Sequence, residues 1–405
     1  MTEFVPTKHE NRRPQPESID KRLRRHVTGR IRDYFAVTPP GFERLCRREL
    51  VDLGMDPEAM TIAPGGVGFS GRLVDCQRAN LHLRTATRIL MRIDTFTATN
   101  LRQLEKKTAG IAWELFLAPH AMPRVRASSH QSRLYHTAAI AQTIQAGMAR
   151  RLNGPLQPET PSQTLFVRVV EDRFSLSLDS SGPALYKRGY KTGAARAPIR
   201  ETLAAAILMT AGYDPARPLV DPMCGAGTFS LEAAMMAKHV APGANRDFAF
   251  MGWPAFAANP WAFLKRQAHR QMVVLDRPRI FASDLDADAC GRLRDAVAGS
   301  DLADAVRVSQ QNFFDCRGDQ YGDCPGWVVI NPPYGIRLGS ARRSADLFRA
   351  ICAHLTRHFK GWHVALIAPR KELLRHLPFP AQQWPLLHGG LKLTLLIGLL
   401  AADHP

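Results

Sequence analysis

The chain has 405 residues, of which 45% are hydrophobic and 22% charged, which is typical of a globular protein with two or three domains. Its formal net charge of +18 favours a polyanionic partner, either nucleic acid or an anionic membrane. The most apolar run, residues 391–402, is too short to span a membrane and contains Lys392, and residues 1–26 lack the apolar centre of a secretory signal. Nucleic acid is therefore the expected partner.

The cysteine pattern bears on location and metal content. The seven cysteines form no CxxC pair, and no histidine pattern completes a zinc site around them. Structural thiols of this kind are typical of a reducing compartment. We therefore expect a cytoplasmic protein without a bound metal ion.

The first part of the chain is predicted to be a tail followed by a small α+β unit. Residues 1–32 are polar and rich in arginine, without apolar periodicity, which predicts a disordered tail. The expected order after the tail is strand, helix, two strands, helix, strand, within residues 33–97. This order is typical of a ferredoxin-like unit.

A second unit is predicted over residues 98–185. Helices are expected at residues 101–110 and 138–152, and strands at 124–127, 164–171 and 173–179. Basic residues recur at the ends of these elements, a distribution that suits binding of structured RNA through its phosphates, although ordinary surface charge would look the same. The candidate RNA-binding residues here are Arg124, Arg126, Arg133, Arg150 and Arg151.

Residues 186–200 form a basic linker between the two halves of the chain. Lys187, Arg188 and Lys191 alternate with two tyrosines, and no acidic residue interrupts them. Basic residues interleaved with aromatic ones favour nucleic-acid binding. A flexible hinge is the alternative interpretation.

Residues 201–405 change to an alternation of apolar strands and helices. Strands are expected at residues 218–220, 279–283, 306–309, 327–330 and 363–368, with helices between them and a final pair near residues 386–400. Residues 239–271 are expected to be irregular and aromatic. The alternation predicts a doubly wound, mainly parallel sheet covered on both faces.

The stretch LVDPMCGAGTFSLE, residues 219–232, predicts a ligand loop between a strand and a helix. Asp221 closes the strand, and Gly225 and Gly227 permit a tight turn and a close approach of the backbone to a ligand. The loop lacks the GxGxxG spacing and the lysine of a phosphate-binding loop, so alone it does not separate nucleotide ligands. Other candidate cofactor-binding residues in the loop are Pro222, Cys224 and Thr228.

Polar residues end the next two predicted strands. Asp284 stands where an acidic side chain can accept hydrogen bonds from ribose hydroxyl groups, and Asn312 can meet an adenine edge. These residues predict an adenosine-bearing cofactor without excluding a nicotinamide dinucleotide.

The four residues Asn331, Pro332, Pro333 and Tyr334 distinguish methyl transfer from hydride transfer. The Asn331 side-chain oxygen and the Pro332 carbonyl can accept the two N–H groups of an exocyclic amine and aim its nitrogen at a methyl donor. The prolines fix the loop's dihedral angles, and Tyr334 can stack on a flipped base. Asn331 is therefore a candidate in both the catalytic and the cofactor sets.

These motifs carry a family resemblance. DPMCGAGTFSLEAA and NPPYGIRL resemble the THUMP-containing, class I S-adenosylmethionine-dependent RNA guanine-N2-methyltransferases, and in particular the RlmL family that acts on 23S rRNA. The similarity covers roughly residues 33–400, including the NRDFAFM segment and the YKRGY linker. It implies a Rossmann-like methyltransferase domain over residues 201–405, a THUMP domain over residues 98–185 and S-adenosylmethionine as cofactor.

The resemblance also implies residue roles. Asp221, Gly225, Gly227 and Asp284 would bind the cofactor, and residues 331–334 would hold the target guanine. Asn312 departs from the aspartate of many relatives, although an amide oxygen can still accept the same bond. Some relatives have a second methyltransferase domain, for which this chain ends too early, so one activity is expected.

The same motifs are compatible with other functions. An adenine-N6 methyltransferase has to bind the same kind of exocyclic amine. A tRNA guanine-N2 methyltransferase would share the THUMP-containing architecture. A cytosine-C5 enzyme needs a cysteine nucleophile, and the positions of Cys224 and Cys324 disfavour it. A non-enzymatic RNA-binding ribosome-assembly factor is the alternative from another class.

Overall fold

A computed structural model describes residues 17–118, 121–152, 163–190, 199–333, 341–368, 373–374 and 377–401. These residues form two seven-stranded sheets, one in each half of the chain. Within them, no helix combines the length and the apolar character needed to cross a membrane. The predicted site residues Lys191 and Tyr334 lie outside the described residues.

A short helical segment precedes the first sheet. Helix α1 spans Ile19–Leu23 and continues into a wider helical turn at Arg24–Thr28. Leu23 and Val27, one helical turn apart, are both buried in the first core. The prediction of disorder up to residue 32 is therefore wrong for this segment, because two apolar residues suffice to pack it against the protein.

The ferredoxin-like unit is confirmed. Its four strands form antiparallel pairs in the order β2-β3-β1-β4, and both helices pack on one side of them. The elements are β1 Arg32–Val37, α2 Glu43–Asp52, β2 Met60–Ala63, β3 Gly66–Gly71, α3 Leu73–His82 and β4 Arg88–Thr97.

The second predicted unit extends the same sheet instead of forming one of its own. Its elements are α4 Leu101–Ala109, β5 Arg124–His130, α5 Thr137–Leu152, β6 Thr164–Val170 and β7 Arg173–Asp179. Because β7 pairs with β4, the full strand order is β2-β3-β1-β4-β7-β6-β5. The boundary predicted near residue 97 therefore lies inside a continuous sheet with one shared core.

The second half confirms the doubly wound sheet. Strands β8 to β12 are parallel, and a final antiparallel pair completes the order β10-β9-β8-β11-β12-β14-β13. Helices α6 and α7 cover one face and α10 the other. The elements are α6 Glu201–Thr210, β8 Leu219–Asp221, α7 Thr228–Ala237, α8 Ala258–Arg270, β9 Ile280–Asp284, α9 Ala287–Val297, β10 Val306–Gln310, β11 Trp327–Ile330, α10 Ala341–His358, β12 His363–Ala368, β13 Ala381–His388 and β14 Leu391–Leu399.

The segment between α7 and β9 packs against the first half of the chain. We predicted an irregular stretch, but it contains α8, and its aromatic residues Phe248, Phe250 and Trp261 belong to the first core. The ring centroids of Phe250 and Trp261 are 5.1 Å apart in an edge-to-face arrangement. The indole N–H of Trp253 donates to the Gln163 side chain at 2.8 Å. This segment thereby fastens the two halves together.

A buried ion pair lies where the linker meets both halves. Arg188 Nε donates to Glu232 Oε1 at 2.8 Å, and their side chains are only 3% and 0% exposed. Arg188 also donates to the carbonyl oxygens of Leu185 and Arg84. The prediction that Arg188 contacts RNA is therefore wrong, because its guanidinium is buried and donates its hydrogen bonds to other residues of the protein.

Replacing Glu232 with glutamine should test this pair. The Glu232→Gln variant leaves the Arg188 guanidinium as a buried cation without a countercharge, so the free energy of unfolding should fall by about 3–5 kcal/mol in urea denaturation. A Glu105→Gln control breaks an exposed pair with Arg150, whose side chains are 40% and 72% exposed, respectively. The control should cost less than about 1 kcal/mol. Equal losses in both variants would contradict a special role for the buried pair.

Arg22 in the helical segment before β1 donates to the Glu114 side chain, and this contact should make the free energy of unfolding depend on pH. Burial opposes ionisation of Glu114, but hydrogen bonds from Arg151 and Arg22 outweigh it and lower its pKa to about 2, from 4.5. A carboxyl group with a lowered pKa stabilises the fold above its unfolded-state pKa, and this contribution disappears as the pH falls through the folded-state value.

We expect wild type to be more stable than Glu114→Gln at neutral pH, with the difference shrinking between pH 4.5 and about 2. Urea denaturation over a pH series measures this difference. A Glu58→Gln control removes an exposed carboxyl group and should show no such convergence. A difference that stays constant down to the lowest pH would refute the proposed contribution of Glu114.

Candidate active site

The candidate residues lie where neighbouring parallel strands end. β8 ends at Asp221 and β9 at Asp284, and Asn331 directly follows β11. β8 pairs with both β9 and β11, and β10 lies beside β9 with Gln310 opposite Asp284. Parallel neighbours end at the same edge of a sheet, so the structure brings these side chains to one edge, where ligands bind in such folds.

The loop after β8 has the backbone conformation that its glycines allow. Gly225 and Gly227 have φ angles of 51° and 70°, in the left-handed region that favours glycine. A side chain at Gly227 would collide with Leu293, whereas one at Gly225 would meet no atom within 4 Å. The loop therefore needs Gly227 for packing and leaves open space beside Gly225.

Hydrogen bonds hold this loop against the neighbouring strand. The Cys224 amide donates to the Ser283 carbonyl at 2.9 Å, and Asp221 accepts the Ser230 hydroxyl at 2.7 Å. The side chains of Pro222, Cys224 and Thr228 are buried. A ligand in the loop would thus meet these three residues mainly through the backbone.

Asp284 joins the loop to the end of β9. Its Oδ2 accepts the Gly225 amide at 2.8 Å, and its Oδ1 accepts the Asp286 amide at 3.0 Å. The side chain is half-buried, and each carboxylate oxygen keeps capacity for a further bond. Asp284 can therefore hold the glycine loop and accept hydroxyl donors at the same time.

Asn312 is partly committed to its own backbone. Its side-chain oxygen accepts the Phe314 amide at 3.1 Å, which begins a short helical turn. Two apolar side chains that we did not single out follow these polar residues: Leu285 is 67% exposed and Phe314 is 40% exposed. Apolar residues within two positions of Asp284 and Asn312 were the signal in the sequence. They can supply flat apolar contact to an aromatic ring.

Asn331 holds an unsatisfied acceptor. Its Oδ1 is buried, and no described residue donates a hydrogen bond to it. Pro332 is buried and Pro333 half-buried next to it. A buried acceptor without a donor costs free energy in the absence of a partner, so this atom fits a site that a donor from a ligand completes.

Neither Cys224 nor Cys324 is suited to act as a nucleophile at this site. Burial, together with the Asp221 and Asp284 carboxylates, raises the pKa of the Cys224 thiol far above its usual range, so the thiol stays protonated. Cys324 is exposed and precedes β11, at the opposite edge of the sheet. Both observations disfavour a cysteine-dependent reaction at this site. Among the described residues, no three histidine, cysteine or carboxylate side chains form a group that would hold a metal ion.

The candidate RNA-binding residues are dispersed. Arg124, Arg126 and Lys187 are exposed. The other three are exposed to different degrees and take part in surface ion pairs, namely Arg133 with Asp172, Arg150 with Glu105 and Arg151 with Glu114. The structure therefore brings these residues onto the surface of the first half but not into one cluster.

Family models and relatives identify both halves. A model described as the RMKL-like methyltransferase domain matches residues 188–382, and one of the RlmL ferredoxin-like domain matches residues 33–90. A ribosomal RNA large subunit methyltransferase K/L from Methylococcus capsulatus is 34% identical over 372 residues, covering 89% of this chain. The chain spans only 50% of that relative's length.

Two further proteins match over nearly their whole length. The putative RNA methyltransferase slr0064 from Synechocystis is 30% identical, with 90% of this chain and 96% of the relative covered. The crystal structure of SMU.472, a putative methyltransferase complexed with SAH, is 27% identical with a TM-score of 0.83, covering 93% of this chain and 99% of that one. The chain therefore belongs to the RMKL-like methyltransferase family.

Proposed function

We propose that this protein transfers a methyl group from S-adenosylmethionine to the exocyclic N2 amine of a guanine in structured RNA, with 23S rRNA as the expected substrate and the cytoplasm as its location. The single observation that carries the chemistry is the buried Oδ1 of Asn331, directly after β11, to which no described residue donates a hydrogen bond. An acceptor in this position suits an N–H donor from the target base.

The residues around the loop after β8 fit the cofactor. The open space beside Gly225 admits a ligand, and the Asp284 carboxylate can accept ribose hydroxyl groups. Leu285 and Phe314 can pack on the adenine ring. When bound, S-adenosylmethionine supplies an activated methyl group on a sulfonium centre. The similar SMU.472 protein was crystallised in complex with SAH, which supports the same cofactor here.

The protein's own contribution is to bind and orient the amine. The Asn331 side-chain oxygen and the Pro332 carbonyl accept its two N–H groups and hold the nitrogen lone pair toward the donor. These acceptors bind more tightly as the nitrogen becomes cationic, so they stabilise the transition state more than the ground state. Tyr334 is proposed to stack on the base.

The substrate assignment is supported by charge and by the relatives. The net charge of +18 suits a nucleic acid, and the K/L relatives are named for ribosomal RNA of the large subunit. Guanine N2 and adenine N6 both present two N–H groups that Asn331 and Pro332 could accept, so adenine remains the alternative base. tRNA is the alternative RNA. Mass-spectrometric mapping of modified nucleosides in RNA from cells lacking this protein distinguishes guanine N2 from adenine N6 and rRNA from tRNA. Unchanged nucleosides in all RNA classes would refute the proposal.

Asn331→Ala should separate binding from chemistry. Removing the acceptor should lower kcat by about 10²–10³-fold, as loss of one transition-state hydrogen bond does elsewhere, while cofactor affinity stays nearly unchanged. Single-turnover transfer of a radiolabelled methyl group measures the first quantity, and calorimetry the second. The Asn259→Ala control alters an exposed residue of α8 and should retain full activity. Normal turnover by Asn331→Ala would exclude the proposed role.

Asp284→Ala should weaken cofactor binding. Charge-assisted hydrogen bonds contribute about 1.5–3 kcal/mol each, so the Kd for S-adenosylmethionine should rise by about 10-fold or more. The Asp288→Ala control removes an exposed carboxylate four residues further along the chain and should keep the wild-type Kd in calorimetry. Unchanged affinity in Asp284→Ala would contradict the ribose assignment.

A further inference from the structure

One face of the first sheet is not covered by the helices of the first core. Inward side chains alternate along each strand and share a core with α2, α3 and α5. Cross-strand registers place the other set of side chains on the opposite side, which we call the open face. It is formed by Asp33, Phe35, Leu90, Arg92, Arg126, Phe166, Arg168, Arg173, Ser175 and Ser177.

The registers place these residues in rows across the sheet. Arg126 on β5 lies opposite Phe166 on β6, Phe166 opposite Ser177 on β7, and Ser177 opposite Arg92 on β4. In the next row, Arg168 lies opposite Ser175. The small side chains between the arginines at the centre of the sheet are Ser175, which is half-buried, and Ser177, which is buried.

The open face carries more positive than negative charge, since its arginines outnumber Asp33. Among the residues described, no carboxylate forms an ion pair with Arg92, Arg126, Arg168 or Arg173. Burial lowers the pKa of the Arg92 guanidinium, Asp33 opposes this, and Arg168 and Arg173 lower it further. The positive charges of Arg168 and Arg173 therefore act on the Arg92 guanidinium. Such a cluster gains stability when an anion binds.

Two depressions flank Arg92. One has a volume of about 240 Å³ and is lined by Phe35, Leu90 and Ser177. The other, of about 570 Å³, lies toward the helical segment before β1 and is lined by Arg32 and Phe116, among others. Arg92 lines both. A nucleotide whose phosphate binds Arg92 would thus find space for its base on either side of this residue.

Aromatic rings stand among the arginines. Phe35 and Phe166 are half-buried on the open face, and the Arg88 guanidinium carbon lies 5.7 Å from the centroid of the Phe166 ring, which helps fix it. Rings set among cations on a sheet surface suit unstacked bases, whereas paired bases in a duplex keep their faces buried against each other.

We propose that the open face binds a single-stranded segment of the substrate RNA, with phosphates at Arg92, Arg126 and Arg168 and a base stacked on Phe166. This proposal rests on the proposed function, since it assigns the surface that holds the RNA whose base is methylated. Helix α5 packs on the other face of the sheet, through Ile140, Ile144 and Met148.

The test compares two variants with equal loss of charge. One carries Arg92→Gln, Arg126→Gln and Arg168→Gln on the open face. The matched control carries Arg44→Gln, Arg266→Gln and Arg270→Gln at exposed positions of α2 and α8. Binding of a fluorescent single-stranded RNA of mixed sequence, and of a blunt duplex with the same composition, is measured by anisotropy over a range of salt concentrations. Thermal melting and S-adenosylmethionine affinity check that each variant is intact.

We expect the open-face variant to bind single-stranded RNA at least about 10-fold more weakly, with the salt slope reduced by about 2 because each lost phosphate contact lowers it by about 0.7. Phe166→Leu should weaken single-strand binding by about 10-fold without changing the salt slope. The control variant should bind like wild type, and duplex RNA should depend less on the open face.

Three results would overturn the assignment: equal losses in the control and open-face variants, unchanged binding in the open-face variant, or a stronger effect on the duplex than on the single strand. Failure of the proposed function is a different result. In that case the wild-type protein would bind S-adenosylmethionine but leave every RNA unmethylated, whether or not the open face binds single-stranded RNA.

Discussion

One buried contact, the ion pair of Arg188 with Glu232, joins the linker to helix α7 of the second half. Removing two charges from water is costly, and the structure offsets this with a forked contact and two further hydrogen bonds from Arg188 to carbonyl oxygens. Arg84, from the first half, donates to the carbonyl oxygens of Met235 and Val240 at the end of α7. A contact of this kind specifies a geometry more than it adds stability.

That geometry connects the surface of the first half to the site. Glu232 lies on α7, and α7 begins at Thr228, directly after the glycine loop. The linker, the end of α3 and the cofactor loop are therefore joined through one helix. A substrate held on the first half would meet a target loop whose position relative to it is set by buried hydrogen bonds.

The sequence predicted the elements well where a pattern was local. The strand, loop and helix around Asp221, and the final pair of strands, follow from apolar periodicity and glycine placement. Arg188 was misread because its neighbours are basic, whereas its partner lies 44 residues away. Glu232, the single carboxylate in the apolar helix α7, was the available signal. The bond from Gly225 to Asp284 spans 59 residues and could not be inferred from spacing. Helix α8 was missed because its aromatic residues obscured its period.

The packing of residues 241–268 has a consequence for the order of folding during synthesis. Phe248, Phe250 and Trp261 complete the core of the first sheet, yet the ribosome makes them after the whole linker and the first strand of the second sheet. Domains normally fold in sequence as they emerge. Here the first half must wait, with part of its apolar surface uncovered, until well over half of the chain has been translated. Such a nascent chain would be a natural client for chaperones.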